Sequence, residues 1–223
     1  MAQRLLIRLL AGLVVCVIGG ASVVATEDGL TIEPLPASLP DDLPDWLLPL
    51  LESDGVRAKS GGAVLADLWF RRELPERTPT GEMGIELGTL PEGALVGLVR
   101  LASPWSDYKK QPIQPGLYTL RYGVQPADGD HTGQTWFRDF LMLVAVERDV
   151  FQADGAAQEP VVEASKAVST TAHPAVMALF GVYDEVSAPT LVENDLGQPM
   201  LAMPFDSLLA GFVLEGHGEE ATM

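Results

Sequence analysis

Between Pro126 and Asp139 the chain reads Pro-Ala-Asp-Gly-Asp-His-Thr-Gly-Gln-Thr-Trp-Phe-Arg-Asp. Counted from Asp128, side-chain oxygens fall at the first, third and fifth positions (Asp128, Asp130, Thr132), glycine at the sixth (Gly133) and an acid at the twelfth (Asp139). This is the spacing of an EF-hand calcium loop, in which alternate oxygens wrap a hard cation and a glycine lets the chain turn sharply. Calcium is the only cofactor this spacing suggests. Two features depart from the pattern: the flanks alternate as strands do instead of reading as helices, and Asp139 is shorter than the bidentate glutamate such loops carry. The competing reading is a loop between antiparallel strands, with Asp-Gly serving the turn. It is the stronger one, because strand loops are commonly built of these residues.

The three histidines, His131, His173 and His217, each lie near a turn. Three imidazoles brought together would hold zinc or copper, but no local spacing joins them. Asp130 is placed to orient His131 as a general base, yet no nucleophile is marked beside it. Met200 and Met203 share a run with Leu201 and Phe205, which reads as core packing before soft-metal binding. There is no Gly-x-Ser-x-Gly elbow, His-Glu-x-x-His pair, phosphate loop or dinucleotide fingerprint. Trp105, Tyr108, Trp136 and Phe137 stand in turn-like contexts, where aromatic rings stack on sugars or, more often, cover the ends of a β-structure.

The elements that must position these residues are bounded by composition. The chain has 223 residues, 47% of them hydrophobic and 20% charged, which excludes a disordered tail and fits one domain or two. Its 31 acidic and 14 basic side chains give a net charge of −17, which argues against a nucleic-acid partner. The acids are scattered and read as a solvated coat. The single cysteine, Cys16, leaves no disulfide framework.

Residues 1–25 have the three parts of an export signal. Arg4 and Arg8 open it, an uncharged apolar run follows from Leu9 to Ile18, and Gly19-Gly20 leads to small residues ending at Ala25. Cleavage is expected after Ala25, which leaves 12 basic and 31 acidic residues, net −19. The alternative is an uncleaved anchor, since Leu9 to Ala25 is 17 uncharged residues, the lower edge of a membrane span. Once the signal is removed, no membrane association is expected and the product is periplasmic or extracellular.

Residues 26–62 hold five prolines (34, 36, 40, 44 and 49) and read as an extended tether. Within it, Trp46 and its neighbouring leucines are expected to dock on the body of the domain, because Asp41, Asp42 and Asp45 would be repelled by anionic lipid. From Ala63 the rhythm becomes period two. Val64, Ala66, Leu68 and Phe70 alternate, as do Tyr118, Leu120, Tyr122 and Val124, with another run at Ala94 to Leu101. Phe140 to Val146 is apolar on both faces and reads as a central covered strand. Short strands are expected at 190–192, 199–203 and 209–214, with a helical insertion at about 157–180. The spacing is too short for helical crossovers, so the expected fold is mostly β: an antiparallel β-sandwich, jelly-roll or Ig-like, over residues 63–217 with a short helical connection.

Three stretches carry a resemblance: Pro115 to His131, Arg138 to Leu143, and His173 to Met177. Over about Leu68 to His217 the chain looks like a group of uncharacterised exported bacterial proteins. That resemblance implies kinship without an activity. The functional expectation is an exported envelope protein, a non-catalytic binding or structural module whose partner is an envelope ligand or protein. The alternative is a metal-binding protein or metal-dependent enzyme using the 128–139 loop.

Overall fold

The computed structural model describes residues 14–18, 21–25, 29–37, 39–79, 81–127, 137–206 and 208–214. The chain is mostly β; among the described residues every ladder is antiparallel, and one short α-helix lies against the sheet. The strands are β1 (Val14–Ile18), β2 (Ala21–Ala25), β3 (Leu30–Leu35), β4 (Gly55–Ser60), β5 (Ala63–Phe70) and β6 (Leu95–Leu101). They continue as β7 (Trp105–Ser106), β8 (Pro112–Ile113), β9 (Gly116–Val124) and β10 (Asp139–Ala145). Helix α1 (Gln158–Ser169) follows, then β11 (Val176–Gly181), β12 (Thr190–Glu193), β13 (Pro199–Pro204) and β14 (Leu209–Val213). Twelve strands form one sheet in the order β1-β2-β3-β4-β5-β6-β9-β10-β11-β14-β13-β12, while β7 and β8 pair apart.

The sheet curls until its ends approach, with β12 lying against both β2 and β3. Its concave face encloses a single core. The alternating sets Ala66, Leu68, Phe70 and Tyr118, Leu120, Tyr122, Val124 point inward beside Leu30, Ile32, Leu141, Leu143, Leu191 and Phe212. Phe70 on β5 meets Phe212 on β14 across the interior with ring centroids 4.9 Å apart, so the two layers are halves of one barrel-like sheet. The interior is filled by side chains, and each fully buried leucine contributes about 1.5–3 kcal/mol.

The doubly apolar run is a central strand. On β10, Leu141 and Leu143 face the core, while Met142 and Val144 face outward under Val161 of α1. The helix ends at Thr170, which takes a left-handed conformation (φ 57°) and returns its amide to the Lys166 carbonyl.

Two boundaries differ from expectation. Of the expected tether, residues 29–37 and 39–62 are part of the folded body: β3 and β4 pair within the sheet, and Leu43, Leu47 and Leu51 pack with Trp69, Leu95 and Leu98 on its outer face. The prolines set the path of that wrap, and Trp46 docks on the same cluster. The folded domain therefore begins before residue 63. The helical insertion stops at Ser169, and Val176–Gly181 is strand β11. Its first five residues are buried on both faces, so no alternation distinguishes it from a helix. Within the expected signal, β1 and β2 pair with each other, and β2 meets β3 at Val24–Ile32 and Ala25–Thr31.

Candidate functional site

The antiparallel register brings the ends of β5, β9, β11 and β13 and the starts of β6, β10 and β14 to one end of the barrel, its mouth. The long connection from β5 to β6 crosses this mouth. Its second half, residues 81–94, forms a strap without regular structure apart from turns. Leu87 and Leu90 are buried in the core cluster, and Ile85 packs against it. At the opposite end the β7–β8 hairpin is the stopper: Trp105 and Ile113 join the core, and Trp105 Nε1 donates to the Leu214 carbonyl at 2.8 Å.

Asp139, the proposed twelfth position of the calcium loop, is the clasp of the strap. It opens β10 opposite Val124 and is 5% exposed. Its Oδ2 accepts the Glu86 amide at 2.7 Å, and its Oδ1 accepts the Leu87 amide at 3.2 Å and the Tyr122 hydroxyl at 2.6 Å. Burial pushes its carboxyl above the ordinary aspartate range, against the opposing pull of the bonds from Tyr122, Glu86 and Leu87. Burial also raises the Tyr122 phenol, helped by the neighbouring Asp139 charge, so Tyr122 stays a proton donor. Glu86 extends the network outward: its carboxylate accepts the Gly181 amide at 2.7 Å and the Tyr183 hydroxyl at 2.8 Å. That bond to Glu86 is the first cause of a raised Tyr183 phenol. At the rim, Arg138 donates to Glu82 of the strap at 3.0 Å and to the Gln125 carbonyl at 2.8 Å.

Asp139 is the one oxygen-bearing position of the expected calcium loop among the described residues. Both oxygens of that carboxylate accept hydrogen bonds, from the strap amides and from Tyr122. Asp128, Asp130, His131 and Thr132, and also His217, lie outside the described residues. His173 is exposed in the turn between α1 and β11, where its backbone carbonyl accepts the Ser169 hydroxyl at 2.5 Å. Among the described residues no three His, Cys, Asp or Glu side chains group as a metal site.

Three further buried carboxylates escaped the reading of the sequence: Asp67 of β5 pairs through both oxygens with Arg57 of β4, at 2.6 and 2.9 Å, and the other two are Asp107 and Asp149. Asp107, fully buried, accepts the Lys109, Gln111 and Val176 amides and the Gln111 side chain, stitching the β7–β8 hairpin to the start of β11. Asp149 forms a fully buried pair with Arg121 of β9, at 2.7 and 2.9 Å, and also accepts the Thr119 hydroxyl. Arg121 gives its remaining donors to carbonyls of Gly93, Phe151 and Gln152, so the charge is paired and its hydrogens are placed. The only signal for this hub was an arginine inside a strand pattern. A shallow depression lies above it, lined by Glu92, Val150, Phe151, Gln152 and Gly155. Of the aromatic candidates, Phe137 packs edge-on against Phe180 at 5.0 Å, Trp105 and Tyr108 are taken up in packing, and Trp136 lies outside the described residues.

None of the family models, curated proteins or solved structures compared with this chain matches it.

Proposed function

We propose that the chain is an exported, non-catalytic binding module of the cell envelope. One observation carries the non-catalytic part: Asp67, Asp107, Asp139 and Asp149, the aspartates buried among the described residues, each have both oxygens engaged by donors of the fold. Catalytic carboxylates are held so that a proton or reacting atom can reach them; these four are consumed in holding the fold. Export is supported by Arg4, Arg8 and the apolar run ending in small residues at Ala25, and by the resemblance to exported bacterial proteins over about residues 68–217, carried by 115–131, 138–143 and 173–177.

The test is expression of the full chain in a bacterial host with an export pathway, followed by fractionation and intact mass. The expected product lies outside the cytoplasm and lacks residues 1–25. An unprocessed chain retained in the cytoplasm overturns the export reading. Thermal unfolding of that product with Ca²⁺, Zn²⁺ or chelator is expected to give one common midpoint. Stabilisation by either metal, about 2.7 kcal/mol at a hundredfold excess over Kd, supports the metal-binding alternative instead.

A further inference from the structure

The two ends of the large sheet meet without a ladder between them. Among the described residues β12 is the last strand at one end, and its edge away from β13 has no strand paired to it. At the other end β3 pairs with β4 along its whole length, Leu30 to Leu35, but with β2 only at Thr31 and Ile32. Cα atoms of β12 lie within 8 Å of both β2 and β3. Strands in a ladder stand about 4.7–4.9 Å apart, so where they approach β12 is about 3 Å or less from a paired position on β3.

Direction and facing both agree with such a ladder. From β3 to β12 the sheet runs through ten strands with every neighbouring pair antiparallel, so the first and the tenth are antiparallel to each other. Leu30 and Ile32 of β3 and Leu191 of β12 are buried in the same core cluster. Paired residues put their side chains on one face, so Leu191 falls opposite Leu30 or Ile32, and Thr31 opposite Thr190 or Val192. What occupies the β3 edge at these residues is β2, which ends at Ala25, the residue after which the export signal is expected to be cut.

We propose that processing closes the barrel: when the cut after Ala25 removes β1 and β2, β12 pairs with the vacated edge of β3, and an open sheet becomes a closed barrel of ten strands. Each free edge is a row of unpaired amides and carbonyls, and closure within the chain satisfies both rows at once. Pro34 has no amide to give, so the new ladder runs over residues 30–33. The inference rests on the reading of residues 1–25 as a removed export signal and adds what their removal does to the fold. While attached, β2 keeps the sheet open.

The test compares the full chain, made by cell-free translation without membranes, with the processed product recovered from an exporting host. At the β12 amides that point away from β13, hydrogen exchange is expected to be at least about fivefold slower in the product, the effect of one added hydrogen bond. Leu141 and Leu143 of β10 are expected to exchange alike in both. Thr31→Cys is then combined with Val192→Cys or with Thr190→Cys and the product purified; Cys16 leaves with the signal, so no native thiol competes. One of the two pairs is expected to form a disulfide within the chain under oxidised glutathione. The β12 amides exchanging no more slowly in the product overturn the inference. So does failure of both pairs to link within one chain, in variants whose circular dichroism matches the parent product, whether the thiols stay reduced or join two copies through their free edges. A processed product with an open β12 edge removes this inference alone, whereas an intact mass showing residues 1–25 still attached removes the export reading and the inference with it.

Discussion

Removing the clasp carboxylate isolates what holds the strap. In Asp139→Ala three donors lose their acceptor at once: the Glu86 amide, the Leu87 amide and the Tyr122 hydroxyl. At about 1 kcal/mol for each bond, with a further cost where a donor stays buried, the loss comes to about 3–4 kcal/mol. Part of it is returned because a buried carboxyl no longer has to be desolvated. Asp139→Asn retains an acceptor for Tyr122 and Leu87 but faces the Glu86 amide with a donor, so it costs less, about 1–2 kcal/mol. The two variants also separate in pH. The folded-state carboxyl titrates above its ordinary value of 3.8, so the folded chain holds a proton the unfolded chain has released. That contribution is fully present below the unfolded value and is lost as pH rises through the folded one. The stability of wild type relative to Asp139→Asn therefore falls as pH rises from about 3.8 upward. Urea unfolding followed by circular dichroism across the acid range measures it, because the other carboxylates cancel in the difference. A difference that is flat in pH, or that grows as pH rises, would falsify the placement of Asp139 in a desolvated site.

Other expectations follow from the same contacts. Tyr122→Phe removes one donor from Asp139, costing about 1–2 kcal/mol, and raises the Asp139 carboxyl further because that bond holds it down; a carbon-detected NMR titration reads the shift. Arg121→Met leaves the buried Asp149 charge without its partner and is expected to cost about 3–5 kcal/mol in urea unfolding, against under about 1 kcal/mol if the pair were solvated. Gly93→Ala, at φ +73°, sets a methyl 2.6 Å from the Ala156 backbone and is expected to destabilise by at least about 2 kcal/mol, read as a lowered thermal midpoint.

The strands that alternate were legible. Ala66, Leu68 and Phe70, and Tyr118, Leu120, Tyr122 and Val124, each needed one face dry and one face varied, and that requirement prints itself on the residues. Phe140 to Val146 was legible for a different reason: helix α1 covers its outer face, so both faces are apolar. The elements that were missed are those where another demand overrides the period. Leu30–Leu35 carries Pro34 beside an incomplete ladder, where a missing amide costs nothing, so proline content there mimicked a tether. Val176–Gly181 is buried from both sides and too short to show a period.

At the site, Asp139 stood out by residue type, but its partners did not. The Glu86 and Leu87 amides carry no signature in sequence, since any residue offers a backbone N–H and only the fold brings residues 53 and 52 positions away onto one carboxylate. The same holds for Asp107 and Asp149, whose ligands are mostly main chain or distant. Arg121 between Leu120 and Tyr122 was the readable clue, because a full charge inside a strand must be paired when its outer face is covered.

Native-state hydrogen exchange at the Glu86 and Leu87 amides tests most directly whether Asp139 fastens the strap over the barrel mouth. Both amides are expected to exchange more slowly than Met83 on the exposed tip, faster than Leu141 and Leu143 in β10, and at close to the Met83 rate in Asp139→Ala. Exchange at Glu86 and Leu87 as fast as at Met83 in the wild-type chain, or unchanged in the variant, contradicts it.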